Sequence, residues 1–410
     1  MKVVGKYIAV FLCLIAAYVL FGIVSNLLPN KPIIKNVAKT LERGDLPSET
    51  DCYAIIYKTE TKLDHFTDAI ILNQACNGGR DSLMASVLLV PRYVSCGYEC
   101  ANLRSFISGE ENMTKSYYDR YWHGSTFLMR WLLMVTNYIS IRLLFYILSS
   151  FLLLWVCVAL YRRLGALVMC CYMMSLLLVN VYVMQFSIQY LPVLIIALGS
   201  TLWVLYKVKK PSQMMMTLFV AGSLTAYFDL LTCPVMTWGL PLCVYVMLCE
   251  EDTFKRRLLS IGTSSVLWAV GYAFTWISKW VIASLFTSQN VMKESVAQIM
   301  IRAGSTPESV EIARWAALMK NMGLIAWGLV AIVLVVLTII AITHFRRKGL
   351  QTALLSLFLA VPPLLWYLFA ANHSYIHSWF TYRSMSVVLL AIFLAEASLV
   401  ERKGFRWRKV

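Results

Sequence analysis

The sequence predicts an all-α, polytopic transmembrane helical protein of about ten spans, with a large extracytoplasmic first loop that contains juxtamembrane helices. Three observations predict it. Hydrophobic residues make up 60% of the chain and charged residues only 14%. The apolar residues fall in blocks of about twenty, the length an α-helix needs to cross roughly 30 Å of hydrocarbon. The lysines and arginines behind the net charge of +16 sit in short clusters between those blocks, as the positive-inside rule expects. The charge therefore reports topology, and a nucleic-acid partner is not expected.

The first span, Ile8 to Leu28, follows Lys2 and Lys6. Its apolar run is long for the h-region of a signal peptide and no small-x-small cleavage site precedes Pro29, so it is expected to be a retained anchor. A polar loop of about a hundred residues, 30–125, comes next and is too long for a simple connection. Within it, Asn36 to Arg43 and Leu63 to Asn77 have helical periodicity, and Ser82 to Tyr93 is apolar enough to lie against a bilayer. Tyr117 to Gly124 is rich in interfacial aromatics and leads to an amphipathic run, Phe127 to Val135.

Further spans are expected at Tyr138 to Tyr161, Leu164 to Val183 and Leu191 to Tyr206, with basic Arg162-Arg163 and Lys207 to Lys210 at alternate ends. Two shorter ones, Met214 to Leu230 and Val235 to Leu248, make a hairpin whose tip is Asp229 to Pro234. Leu259 to Leu285 leads to a second extracytoplasmic loop, 286–323, where Thr306-Pro307-Glu308 has the pattern of a helix start. Leu324 to Thr343, Leu350 to Ala371 and Tyr382 to Val400 complete the set. The whole chain, 1–410, is read as one integral-membrane domain in a plasma membrane, with both termini cytoplasmic because every basic cluster falls on one side. No internal repeat is evident, which argues against the inverted-repeat design common in transporters.

Four of the eleven cysteines, Cys52, Cys76, Cys96 and Cys100, lie in the first loop. An even number facing an oxidising compartment fits two disulfides of unassigned pairing, or free thiols.

Topology sorts the polar residues. Four of the five histidines, His65, His123, His373 and His377, fall outside, with Asp64, Asp68, Asp119, Arg120, Asp229, Tyr375 and Arg383. In Leu63 to Ile70 a helix would set Asp64 and Asp68 one turn apart on one face, beside an apolar stripe of Leu63, Phe66 and Ile70. The plain alternative is a solvated helix face. Asn372 to Arg383 joins two histidines, a tyrosine and an arginine at a membrane boundary, a set able to bind phosphate, and Trp379, Phe380 and Tyr382 alone would make an aromatic belt. Asp229 ends a short apolar span, where an acid tends to face a cavity or a partner. Asp119-Arg120 reads as a simple ion pair, and Trp122-His123 marks the membrane surface.

A first span followed at once by a large outer loop with an acidic pair near a juxtamembrane helix, then many spans, resembles the GT-C integral-membrane glycosyltransferases over the whole length of the chain. The stretches Asp64 to Asp68, Tyr227 to Pro234 and Asn372 to Arg383 also look like uncharacterised bacterial members of that kind. The resemblance implies an enzyme that takes a sugar from a polyprenyl-phosphate-linked donor to a glycan or lipid acceptor in cell-envelope synthesis. It points to Asp68 or Asp64 as the base, although adjacent acids are common in the family and here three residues intervene. A base near the carrier's head group and cations on the leaving phosphate are also what the chemistry needs. Arg383, His373, His377, Tyr375 and Arg120 are the phosphate-binding candidates, with Asp229, His65 and His123 in support. Some members use a divalent metal ion, for which Asp64, Asp68 and Asp229 are the candidate ligands. The competing expectations are a flippase of lipid-linked oligosaccharide, which needs polar residues near mid-membrane, and a polysaccharide polymerase using Lys293, Arg302 and Arg314.

Overall fold

The computed structural model describes residues 2–46, 53–55, 59–95, 97–249, 253–304 and 314–401, and helix accounts for 78% of these described residues. Among the described residues, five helical segments are long and apolar enough to cross a membrane: Val3–Asn26, Tyr138–Leu164, Phe254–Phe286, Arg347–Phe369 and Ser378–Ser398. Arg314–Met322 and Trp327–Thr343 meet at 71° and form a sixth if the bent pair is one span. Three more apolar helices, Ala166–Leu177, Leu191–Lys207 and Val235–Leu248, are shorter. The expected span Leu164 to Val183 is interrupted: its helix stops at Leu177, Asn180 takes a left-handed φ of 54°, and a new helix, Val181–Phe186, begins.

Two of the central helices touch backbone to backbone. A Cβ on Gly222 would lie 2.2 Å from the Trp268 carbonyl oxygen, and one on Gly271 would lie 2.1 Å from that of Phe219. Paired glycines therefore permit the contact between Pro211–Phe228 and Phe254–Phe286, as small residues do where membrane helices pack closely.

The loop 30–125 folds into a layer of its own. It contains helices Asn30–Glu42, His65–Cys76, Leu83–Leu88 and Glu99–Ser108, and two antiparallel ribbons, Tyr53–Ile55 with Lys62–Asp64 and Pro91–Val94 with Thr114–Tyr117. The apolar stretch Ser82 to Tyr93 is a short helix, Leu83–Leu88, followed by a strand that begins at Pro91. The expectation that Asp64 and Asp68 share one face of a helix is corrected, since Asp64 precedes the helix, and the alternative of a solvated face is excluded. Every residue of His65–Cys76 except Phe66 is buried, because helices Asn30–Glu42, Glu99–Ser108 and Gly124–Leu133 surround it. Its two central amides are used internally: Asn73 donates to the Tyr93 carbonyl at 2.8 Å and accepts from the Tyr93 amide at 3.1 Å, and Gln74 accepts from Thr126 at 3.0 Å.

Arg130, fully buried, fastens this layer to the first span. Its guanidinium donates to the carbonyls of Ser25 at 2.8 Å and Leu28 at 2.7 Å, to the Asn30 side chain at 2.9 Å, and to the carbonyl of Ala75. One cation thus ties the end of the first helix to the end of His65–Cys76.

Cys100 is disulfide-bonded, whereas Cys76 is a buried free thiol at the end of its helix. The pairing of all four loop cysteines into two disulfides is therefore not formed. Cys52, Cys96 and the expected helix start at Thr306 lie outside the described residues.

Candidate functional site

Asp64 and Asp68 differ in role because one precedes the helix and the other belongs to it. Asp64 is the N-cap: its Oδ1 accepts from the Thr67 amide at 3.0 Å and its Oδ2 from the Thr67 hydroxyl at 3.2 Å. Asp68 lies in the first turn, 1% exposed. The Tyr138 hydroxyl donates to its Oδ2 at 2.6 Å, while its Oδ1 is buried with no hydrogen-bond partner. Loss of solvation pushes the Asp68 carboxyl up to about 7, against the pull of Tyr138 and of the Arg142 charge. Burial also lifts Asp64, to about 6, the Thr67 hydrogen bonds opposing it.

Around Asp68 the chain gathers His65, Arg142 and Tyr190. Arg142 donates to the Phe186 carbonyl at 2.6 Å, lies 5.2 Å from the Tyr138 ring and has a nitrogen 3.5 Å from His65 Nε2. Burial, then Arg142, hold His65 neutral, its pKa pushed down to about 4. Tyr190 carries a buried hydroxyl without a hydrogen-bond partner, and burial and the Asp64 carboxylate hold its phenol well above the usual range.

Arg383 is fully buried, its guanidinium 4.8 Å from the Tyr190 ring. It donates to the carbonyls of Trp379 at 2.9 Å and Glu60 at 3.2 Å, and among the described residues no carboxylate lies within ion-pair distance of it. At the hairpin tip, burial drives the Cys233 thiol up to about 12, with the Asp229 charge adding to the rise and the Arg383 charge opposing it.

Asp229 closes its own turn. Its carboxylate accepts from the Thr232 amide at 3.0 and 3.1 Å and from the Thr232 hydroxyl at 2.5 Å. The turn forces Leu231 into a left-handed φ of 66°, a conformation that costs a non-glycine residue roughly 1–3 kcal/mol unless its surroundings hold it. His373 does so, with its Nε2 donating to the Leu231 carbonyl at 2.8 Å. His377 stacks on Phe380 at 5.2 Å, and burial lowers both histidines, His377 to about 4.

The other candidates sit elsewhere. Arg120 pairs with Glu294 at 2.6 Å and not with Asp119, so the expected Asp119–Arg120 pair is not formed. Asp119 turns inward and leaves its Oδ1 without a partner. His123 takes a left-handed φ of 60° before the helix Gly124–Leu133 and bonds the Tyr118 carbonyl. Tyr375 faces Lys320, whose Nζ lies 4.0 Å from its ring. Asp64, Asp68 and Asp229 do not suit the metal suggested for them: among the described residues no three His, Cys, Asp or Glu side chains are placed to share an ion, and each of the three is engaged in a different local contact.

A cavity of about 510 Å³ opens beside this network, between the helices Phe254–Phe286 and Val361–Phe369. Trp268, Tyr272, Trp276 and Trp280, four residues apart on one helix, form its aromatic wall; Leu231, Trp366 and Phe369 face them, and Arg302 stands among them as its charged residue. Asp64, Asp68, Asp229 and Arg383 are not among its lining residues.

Tyr138 and Tyr190 were not singled out from sequence, and Arg302 only for the polymerase expectation. Tyr138 and Arg142 carried a usable signal, since a tyrosine and a cation four residues apart share one helix face at the start of a span. Tyr190 carried none. No family model, curated protein or solved structure matches this chain.

Proposed function

We propose that this chain is a membrane glycosyltransferase of the GT-C kind, moving a sugar from a polyprenyl-phosphate-linked donor to an extracytoplasmic glycan or lipid acceptor of the cell envelope. The observation that carries the reading is Asp68: a buried carboxyl with one oxygen fixed by Tyr138 and the other free of partners. A group of that kind, with a pKa near neutrality, suits removal of a proton from an attacking hydroxyl. Asp68 is the base, Tyr138 and Arg142 set its position and charge, and Asp64 caps its helix. Arg383, with Tyr190 beside it, is the group proposed to stabilise the leaving phosphate. Arg383 suits that role because no carboxylate neutralises it among the described residues.

The membrane arrangement belongs to the same proposal. If the bent pair, the shorter apolar helices and Pro211–Phe228 each cross as well as the five long segments, the passes number ten. Both termini are then cytoplasmic and the layer 30–125 lies outside. The test is transfer of radiolabelled sugar from a synthetic polyprenyl-phosphate-linked donor into endogenous acceptors, in membranes with and without the chain. Equal incorporation in the two preparations, across several donor sugars, would sink the reading.

A further inference from the structure

We propose that the exposed face of the helix Asn30–Glu42 docks on anionic phospholipid head groups of the leaflet beside the layer 30–125, with Lys31, Lys35, Lys39 and Arg43 as its contacts. The inference rests on Val3–Asn26 and Tyr138–Leu164 crossing a membrane. It is independent of Asp68 as base and of any sugar transfer.

The helix lies along the membrane boundary because it is fastened to the ends of two spans. At its start, Arg130 donates to the carbonyls of Ser25 and Leu28, where the first span ends, and to the Asn30 side chain. Farther along, Asn36 donates to the Leu133 carbonyl at 2.8 Å, and the Thr40 hydroxyl accepts at 3.3 Å from the amide of Tyr138, the first residue of the next span. The stretch between these anchors rises about 15 Å, all of it held at the level of the span ends. Apolar side chains beside it mark the same level. Leu128, Trp131 and, just past the end of Gly124–Leu133, Val135 are exposed, and the Trp131 indole donates to the Ser25 hydroxyl at 2.9 Å. Such a stripe is covered when it faces lipid.

The charge identifies the partner. Ile33, Val37 and Leu41 pack inward, while Lys31, Lys35, Lys39 and Arg43 stand on the opposite side, all exposed and one turn apart. Three residues separate each cation from the next, so they form a cluster only when the helix folds. Among the described residues Lys31, Lys35 and Lys39 have no ion-pair partner, and Arg43 has a long one with Asp45, at 3.9 Å. The acids of the segment, Glu42 and Asp45, come after the third lysine. Like charges one turn apart repel, a cost that an anionic surface removes. Lysine's compact charge on a flexible stem suits mobile head groups better than one fixed anion, for which arginine's planar fork is the match. A soluble acidic polymer would answer the charges and leave the apolar stripe beside them in water.

The experiment is hydrogen exchange, read by mass spectrometry on peptides covering Asn30–Glu42, for the full chain in nanodiscs of phosphatidylcholine alone or mixed with an equal amount of phosphatidylglycerol. In the wild type, phosphatidylglycerol is expected to slow exchange of this helix roughly fivefold or more, and high salt to remove most of the slowing. The triple variant Lys31→Gln, Lys35→Gln, Lys39→Gln is expected to exchange equally in both lipids, whereas Lys31→Arg, Lys35→Arg, Lys39→Arg keeps the charge and the slowing. Equal exchange of the wild type in both lipids would overturn the proposal, as would slowing in the glutamine variant as large as in the wild type. Slowing by soluble dextran sulfate in phosphatidylcholine nanodiscs as strong as that by phosphatidylglycerol would overturn it too, by making the face a site for an acidic polymer. The readout is local to one helix and needs no transfer, so failure of this proposal and failure of the transferase reading are separable.

Discussion

The hydroxyl of Tyr138, at the start of one apolar helix, donates to Oδ2 of Asp68 at 2.6 Å, and the other oxygen of that carboxyl has no partner. A contact between residues so far apart in sequence fixes the loop layer against the helices behind it. Removing the Tyr138 donor removes an interaction that favours the ionised form. Tyr138→Phe is expected to shift the pH profile of transfer to higher pH, with protein yield retained. An unmoved profile would show that Asp68 is not the titrating group.

The buried acids make stability depend on pH with a definite sign. Asp68 rises from an ordinary 3.8 to about 7, and Asp64 and Asp229 to about 6, chiefly through burial. Their folded values lie above the unfolded ones, so the stability they contribute is present below about pH 3.8 and is lost as pH rises through about 6 to 7. Asp68→Asn, which stays neutral, is expected to raise the melting temperature relative to wild type at pH 8 and to have a smaller effect at pH 4, as read by thermal scanning in detergent.

Asp229 is expected to be structural. Its carboxylate accepts only within its own turn, so Asp229→Asn keeps the acceptor oxygen and most activity. Asp229→Ala leaves the buried Thr232 amide unpaired at a cost of about 1–3 kcal/mol. The ratio of folded protein recovered for the two variants reads the difference, and equal loss of activity at full yield would instead place Asp229 in the chemistry.

The glycine crossing gives a prediction on the fold alone. Gly222→Ala and Gly271→Ala each drive a methyl into the opposing backbone. Each is expected to destabilise by about 1–3 kcal/mol or more, and the double variant by less than the sum, since one separation of the helices relieves both contacts. Size-exclusion yield and melting temperature test it.

What the sequence shows and hides follows from the kind of interaction involved. Long apolar runs such as Tyr138 to Leu164 announce themselves by length, whereas the helix start was set too early: Asp64, read as a member of the helix beside Asp68, is its N-cap. The burial of His65–Cys76 was hidden, because its apolar face and its polar residues both pack inward, and Asn73 and Gln74 look like surface residues until Tyr93 and Thr126 meet them. His373 was legible as an outer-face polar residue, but its use in holding the strained Leu231 carbonyl depends on a contact across 142 residues. The partner choice of Arg120 was misjudged for a related reason: Asp119 is its neighbour in sequence, yet Glu294 is its neighbour in space.

The central claim is that Asp68, and not Asp64, is the base. The most direct measurement is the rate of sugar transfer from a polyprenyl-phosphate-linked donor by purified Asp68→Asn and Asp64→Asn proteins at matched folding. The expected result is a loss of about 10²–10⁴-fold for Asp68→Asn and retention of most of the rate by Asp64→Asn, whose amide oxygen can still cap the helix. Full activity in Asp68→Asn, or an equal loss in both, would contradict it.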